Sequence, residues 1–319
     1  MSTLRQGDKK FFDIIKMRLP IVSPIGTTDL SKYCSSKSQI IVKDAFVFGA
    51  LLFRGFDVFT SADFQKCFES LDLQPVDMQG SAAPRTQLAD LVFTSNDSPQ
   101  DSVIPMHHEM AQTSNPPSHI MFCCETPSLK GGETPIVDSR EISAYIKKKF
   151  PLLYPKFKEG VCYTRIMTAN DDISSPLGRG WKNSFNVRTH KELEDTLQGT
   201  DTLFEWKDEN LLKTVTKPIP AIVTQSKYGS EHDTFFNSVI AAYTGWNDDY
   251  NSGPQAVTFA DGSHIPLYFI EELQTYIDER KIAFQWQKGD VLFIDNRVTM
   301  HSRNPFKGYR RILTCVGNL

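Results

Sequence analysis

The stretch 289–317, GDVLFIDNRVTMHSRNPFKGYRRILTCVG, holds two apolar, β-branched and aromatic runs, DVLFID (290–295) and RRILTCV (310–316), separated by turn-forming residues. Both read as strands. Working outward, runs of the same kind recur: AFVFGALLFRGF (45–56), HIMFCCE (119–125), TPIVD (134–138), GVCYTRIM (160–167), PAIVTQ (220–225) and DTFFNSV (233–239). Helical periodicity is confined to 61–72, where Ser61 can cap the start, to 139–149, and to 265–280, where Leu267, Ile270, Leu273 and Ile277 repeat at helix spacing. Strands outnumber helices and mostly do not alternate with them. That argues against a doubly wound parallel sheet and for a β-rich α+β fold, an antiparallel sandwich or barrel with helices packed outside. Polar, turn-rich segments at 168–180 and 247–255 are expected as loop insertions and lid candidates.

Composition narrows the function classes. The 319 residues carry a formal net charge of −3, without the basic excess of a nucleic-acid binder. The longest apolar run, Ala45 to Phe53, is far short of the roughly 18 residues that span a bilayer and is interrupted by Gly49. The polar N-terminal stretch shows no secretory pattern. The six cysteines form no CxxC pair and read as reduced core residues, as expected of a cytoplasmic protein. The expected partner is a small-molecule substrate, with neither nucleic acid nor membrane.

The chemistry concentrates in histidine. In IPMHHEMAQ, His107 and Glu109 stand two positions apart, and residues i and i+2 of an extended chain share a face. An imidazole and a carboxylate would converge there, with His108 as the competing register. His301, just after a buried-looking strand, is the best third ligand. Two histidines and a carboxylate on one face of a metal suit a non-haem iron(II) site with open positions. A zinc hydrolase or lyase could use the same donors, and a decayed, non-catalytic binding protein would lack one of them.

The chain resembles the TauD/TfdA and clavaminate synthase-like oxygenases. The resemblance rests on LLFRGFDV, SAAPRTQ, VFTSNDSPQDSVIPMHHEMAQ, KGGETPIVDSREI, GRGWKNSF, NSVIAAYTGW and WQKGDVLFIDNRVTMHSRNPFKGYRRILTCVGN, in that order, from about Gly55 onward. It implies a double-stranded β-helix (jelly-roll) core with flanking helices, in a single oxygenase domain over 1–319 with residues 1–40 as an N-terminal extension. It implies Fe(II), 2-oxoglutarate as cosubstrate and O₂. His107, Glu109 and His301 become the metal ligands and His108 a neighbour. Arg310 or Arg311, with Arg310 preferred, would grip the distal carboxylate of 2-oxoglutarate, as a planar fork suits a carboxylate. Thr134, 27 positions after His107 (134 − 107), would assist.

The reaction implied is oxidation of an unactivated C–H bond, by hydroxylation, desaturation or ring closure, with release of succinate and CO₂. Glu109 separates the chain from related halogenases, which lack that carboxylate. Arg85, Asn96, Gln112, Arg165, Asn237 and Tyr243 are the polar candidates for substrate contact. Arg85 and Arg165 would suit an acidic, amino-acid-like metabolite. An oxidative cyclase of the kainoid-synthase type, acting on an N-prenylated glutamate, is the alternative. Trp181 and Trp246 read as structural.

Overall fold

The computed structural model describes residues 18–77, 85–172, 175 and 177–319. Residues 1–17, Ser81 to Pro84 of the SAAPRTQ segment, and Ile173, Ser174 and Pro176 of the 168–180 loop lie outside them.

The fold is β-rich α+β. The main sheet runs Ile21–Val22, Ala50–Phe53, Val291–Asp295, His119–Thr126, Arg311–Asn318 and Gln74–Pro75, with Phe93–Thr94 also paired to Arg311–Asn318. Its long central pairs are antiparallel, with Val291 opposite both Phe53 and Cys123, and Leu313 also opposite Cys123. A second, three-stranded sheet sets Thr299–Arg303 between Ile104–His107 and Ile136–Asp138.

Why the main strands read as unbroken apolar runs is now plain: both faces are buried. On one face Leu51, Phe53, Met121, Cys123, Val291, Phe293, Leu313 and Cys315 pack against the helices Leu30–Phe48 and Ser61–Glu69. On the other, Leu52, Ile120, Phe122, Leu292, Ile294 and Ile312 meet Ile136 and Trp286. Phe122 reaches from this inner face to the second sheet, its ring 5.3 Å from that of His301. The site therefore lies between the two sheets, on frames fixed by core packing.

Three expectations need correction. The segment 45–56 is not one strand: the helix Leu30–Phe48 runs into it, and only Ala50–Phe53 is extended. Gly49, at φ 85°, ends the helix with a backbone turn that favours glycine. The described part of the expected 1–40 extension is built into the fold, with Leu30 and Cys34 buried and Ile21–Val22 paired to Ala50–Phe53. The 247–255 segment enters a short helix, Gly253–Ala256, and is pinned by Asn251, whose side chain bonds both the N–H and the carbonyl of Ile166. All six cysteines are free thiols, and among the described residues no helix is long and apolar enough to cross a membrane.

Candidate metal centre

His107 ends the strand Ile104–His107, and its cross-strand partner is His301. The pairing register brings the two rings to 4.3 Å between centroids. Glu109 follows after one residue. Ligand atoms of His107, Glu109 and His301 all lie within 4.8 Å of one another, and no other such cluster occurs among the described residues.

The local tautomers follow from the hydrogen bonds. His107 Nδ1 donates to the carbonyl of Pro105 at 2.8 Å, which leaves Nε2 with a free lone pair. His301 Nε2 lies 3.8 Å from Glu109 Oε2. Burial pushes the pKa of His107 down and that of His301 well below the usual histidine value, so both rings are neutral, as metal ligation requires. His108 faces the other way. Its Nδ1 accepts from the Asn237 N–H at 3.1 Å, and its Nε2–H donates to Ser139 Oγ at 2.7 Å. Of the two adjacent histidines it is His107, not His108, whose ring converges with Glu109 and His301.

Glu109 is held at both ends. Asn296 accepts from its N–H and donates to its carbonyl, while Arg85 Nη2 sits 3.0 Å from each carboxylate oxygen. The backbone then turns through Met110, at φ 54°.

The triad opens into a cleft of about 1030 Å³, open solvent included. One part of its wall carries Thr134, Ser302, Arg303 and Arg310. Arg310 donates from Nε to the Gly132 carbonyl at 3.0 Å. Burial, with Arg303 adding repulsion, lowers its pKa to about 10, so it stays charged at neutral pH. Thr134 is buried and accepts from Trp286 Nε1 at 3.2 Å. Arg311 instead pairs with Glu125 at 3.1 Å, away from the cleft.

Of the six substrate candidates, Arg85, Asn96 and Gln112 line the cleft. Arg165, Asn237 and Tyr243 do not, which corrects their placement. Arg165 lies on the same face of its strand as Tyr163 and turns its guanidinium to the carbonyls of Leu177 and Arg179 at 2.6 and 2.7 Å. Asn237 braces His108 and bonds Ala221 and Val239. Tyr243 belongs to an apolar cluster with Tyr163 and Trp246.

Sequence reasoning missed Arg303, which lines the cleft two residues after His301 and donates to the carbonyls of Ser98, Pro99 and Ser102. It also missed Asn296, and Trp246 as a wall residue. The period-two alternation from His301 to Arg303 was the available signal for Arg303.

A family model described as "Taurine catabolism dioxygenase TauD, TfdA family" matches residues 19–316. The chain belongs to this family. It is a non-haem iron, 2-oxoglutarate-dependent dioxygenase, with Fe(II), 2-oxoglutarate and O₂ as its cofactor and cosubstrates. The chain is 42% identical over 271 residues to a clavaminate synthase-like protein of Arabidopsis thaliana, a match covering 84% of this chain and 81% of that protein. It is 26% identical over 277 residues to the dapdiamide synthesis protein DdaC of Enterobacter agglomerans, covering 83% and 80%. The crystal structure of AAD-2 in complex with Mn(II) and N-oxalylglycine matches in fold, with a TM-score of 0.56 at 14% identity over 93% of this chain and 94% of that one. Two neutral imidazoles and one carboxylate, facing an open cleft, are a donor set that fits the family's iron.

Proposed function

We propose that this dioxygenase oxidises an unactivated C–H bond of a small, carboxylate-bearing, amino-acid-like metabolite, by hydroxylation, desaturation or oxidative cyclisation. The observation that carries the reading is the convergence of His107, Glu109 and His301 at a cleft that also carries Arg310 and Thr134. Bound Fe(II), with 2-oxoglutarate and O₂, supplies the oxidant for the C–H bond and releases succinate and CO₂. His107, Glu109 and His301 are the proposed ligands of the metal. Arg310, in preference to Arg311, grips the distal carboxylate of 2-oxoglutarate, with the Thr134 hydroxyl beside it. The low polarity of the walls formed by Phe122, Leu177 and Trp246 keeps water from the reacting carbon. The two facing sheets are read as the double-stranded β-helix of this family, with the whole chain as one catalytic unit.

Asn96 and Gln112 are the proposed substrate contacts, while Arg85 lines the same cleft but is held on Glu109. The related protein named for dapdiamide synthesis supports a small-molecule biosynthetic substrate. The kainoid-type alternative gains less support: Arg165 is turned away from the cleft and Arg85 is on Glu109, so the several cations an N-prenylated glutamate calls for are not gathered there.

The test is 2-oxoglutarate turnover by the iron-loaded enzyme across a panel of amino acids, short peptides and their decarboxylated amines. Succinate release stimulated by a carboxylate-bearing member, with oxidised product detected by mass, is expected. Stimulation by the amines alone would remove the proposed substrate class.

A further inference from the structure

The Glu109 carboxylate is unusually well held for a ligand with a long side chain. Its Oε2 faces His301, at 3.8 Å from Nε2. Arg85 Nη2 straddles the group, 3.0 Å from Oε1 and 3.0 Å from Oε2, and both side chains are nearly fully buried, at 8% and 5% exposure. The backbone beside Arg85 is fixed in turn, with Thr86 N–H donating to Thr94 Oγ1 at 2.8 Å. A buried pair of this geometry resists separation, because either charge left alone would be strongly penalised.

A carboxylate can bind a divalent ion through one oxygen or through both. The difference matters in a three-residue site. One-oxygen ligation by Glu109 takes three of six positions and leaves three, which is what a chelating keto acid and O₂ together occupy. Two-oxygen ligation leaves one too few. Glutamate has one more rotatable bond than aspartate, and so more freedom to swing both oxygens toward the ion.

We propose that Arg85 is a positioning residue that holds Oε1 of Glu109 and so keeps the carboxylate a one-oxygen ligand. This deepens the iron reading above and rests on it. Arg85 bonds both oxygens, and Oε2 is the one turned toward His301; with Oε2 given to the metal, Oε1 is the oxygen left to the guanidinium. Arg85 then acts on 2-oxoglutarate binding without touching it, by preserving the coordination position that the cosubstrate needs.

Mn(II) serves as the probe, with water-proton relaxation of the bound ion counting inner-sphere waters. The wild-type protein is expected to hold about three exchangeable waters on Mn(II). Arg85→Met is expected to hold about one fewer, to bind Mn(II) at least as tightly as wild type, and to bind 2-oxoglutarate at least tenfold more weakly. In the double variant Arg85→Met/Glu109→Gln, the neutral amide offers a single good oxygen donor, and the count returns to the wild-type value.

A merely structural role for Arg85 would not move a hydration number. Thermal unfolding checks that each variant is folded. A wild-type count of two overturns the proposal without any variant, as does a folded Arg85→Met protein whose count equals that of wild type. Failure of the wild-type protein to bind Mn(II) at all would instead remove the metal-centre reading on which the proposal stands.

Discussion

Asn296 clamps the backbone of Glu109: its side-chain carbonyl accepts the Glu109 N–H at 2.8 Å, and its amide donates to the Glu109 carbonyl at 3.0 Å and to that of Pro117 at 2.7 Å. One fully buried side chain thus ties a proposed metal ligand to the loop that leads from Val291–Asp295 to the His301 strand. Asn296→Ala strands these backbone groups without partners. The expected cost is about 3 kcal/mol of stability, read by denaturant unfolding. Mn(II) affinity is expected to fall at least tenfold. Loss of stability with unchanged metal affinity would mean that the clamp does not position Glu109.

Arg310 and Arg311 are adjacent in sequence but differ in surroundings, and their substitutions should separate. Arg310→Ala removes charge-assisted hydrogen bonds worth roughly 1.5–3 kcal/mol, a 10- to 100-fold loss of 2-oxoglutarate affinity. Arg311→Ala breaks a partly exposed pair with Glu125 and should change that affinity by less than about twofold. Gly132→Ala tests the same site from behind. A Cβ there would stand 2.9 Å from both Cδ and Nε of Arg310, on a backbone at φ +73°. It should raise the 2-oxoglutarate dissociation constant and leave metal affinity unchanged. Equal effects of the Arg310 and Arg311 substitutions in a binding titration would refute the assignment.

His107 and His108 offer a second adjacent contrast. His107→Ala should abolish metal binding. His108→Ala loses the bond to Ser139 and the acceptor for the Asn237 N–H, and should cost about 2–4 kcal/mol. Its Mn(II) affinity should remain within about threefold of wild type. The reverse pattern in a metal titration would move the ligand to His108.

Acid stability should depend on His119. Its imidazole is buried beside Asp295, 3.5 Å from Oδ2, and burial outweighs the pull of that carboxylate, so the pKa falls to about 4. The unfolded chain holds the same ring near 6.5. Between those values the unfolded state binds the proton and the folded state does not, so stability is full above pH 6.5 and drains as pH falls toward 4. The loss from this residue is at most about 3 kcal/mol. His119→Gln should flatten that limb of a stability-against-pH curve measured by urea unfolding. An unchanged slope would show that His119 is not its source.

How much of this was legible in the sequence depended on range. The convergence of His107, Glu109 and His301, the proposed metal triad, was readable because His107 and Glu109 lie within one extended segment, where period-two geometry acts locally, and because His301 follows a strong strand signal. The two-sided burial of Val291–Asp295 appeared as a continuous apolar run for the same reason. That signal misled at 45–56, where an apolar run of helix and an apolar run of strand look alike and only Gly49 marks the junction. Arg165 looked like a substrate cation because nothing local shows that the carbonyls of Leu177 and Arg179 will fold over it. Asn296, Arg303 and Arg85 owe their roles to partners far away in sequence, such as Glu109, 187 residues from Asn296. No spacing rule reaches that far.

The most direct measurement is an anaerobic titration of the purified protein with Fe(II) and then 2-oxoglutarate, followed by visible absorption. A weak charge-transfer band that saturates at one 2-oxoglutarate per iron, and is lost or needs far more cosubstrate in Arg310→Ala, is the expected result. No band in the iron-loaded wild-type protein would contradict a working iron and 2-oxoglutarate site at His107, Glu109 and His301.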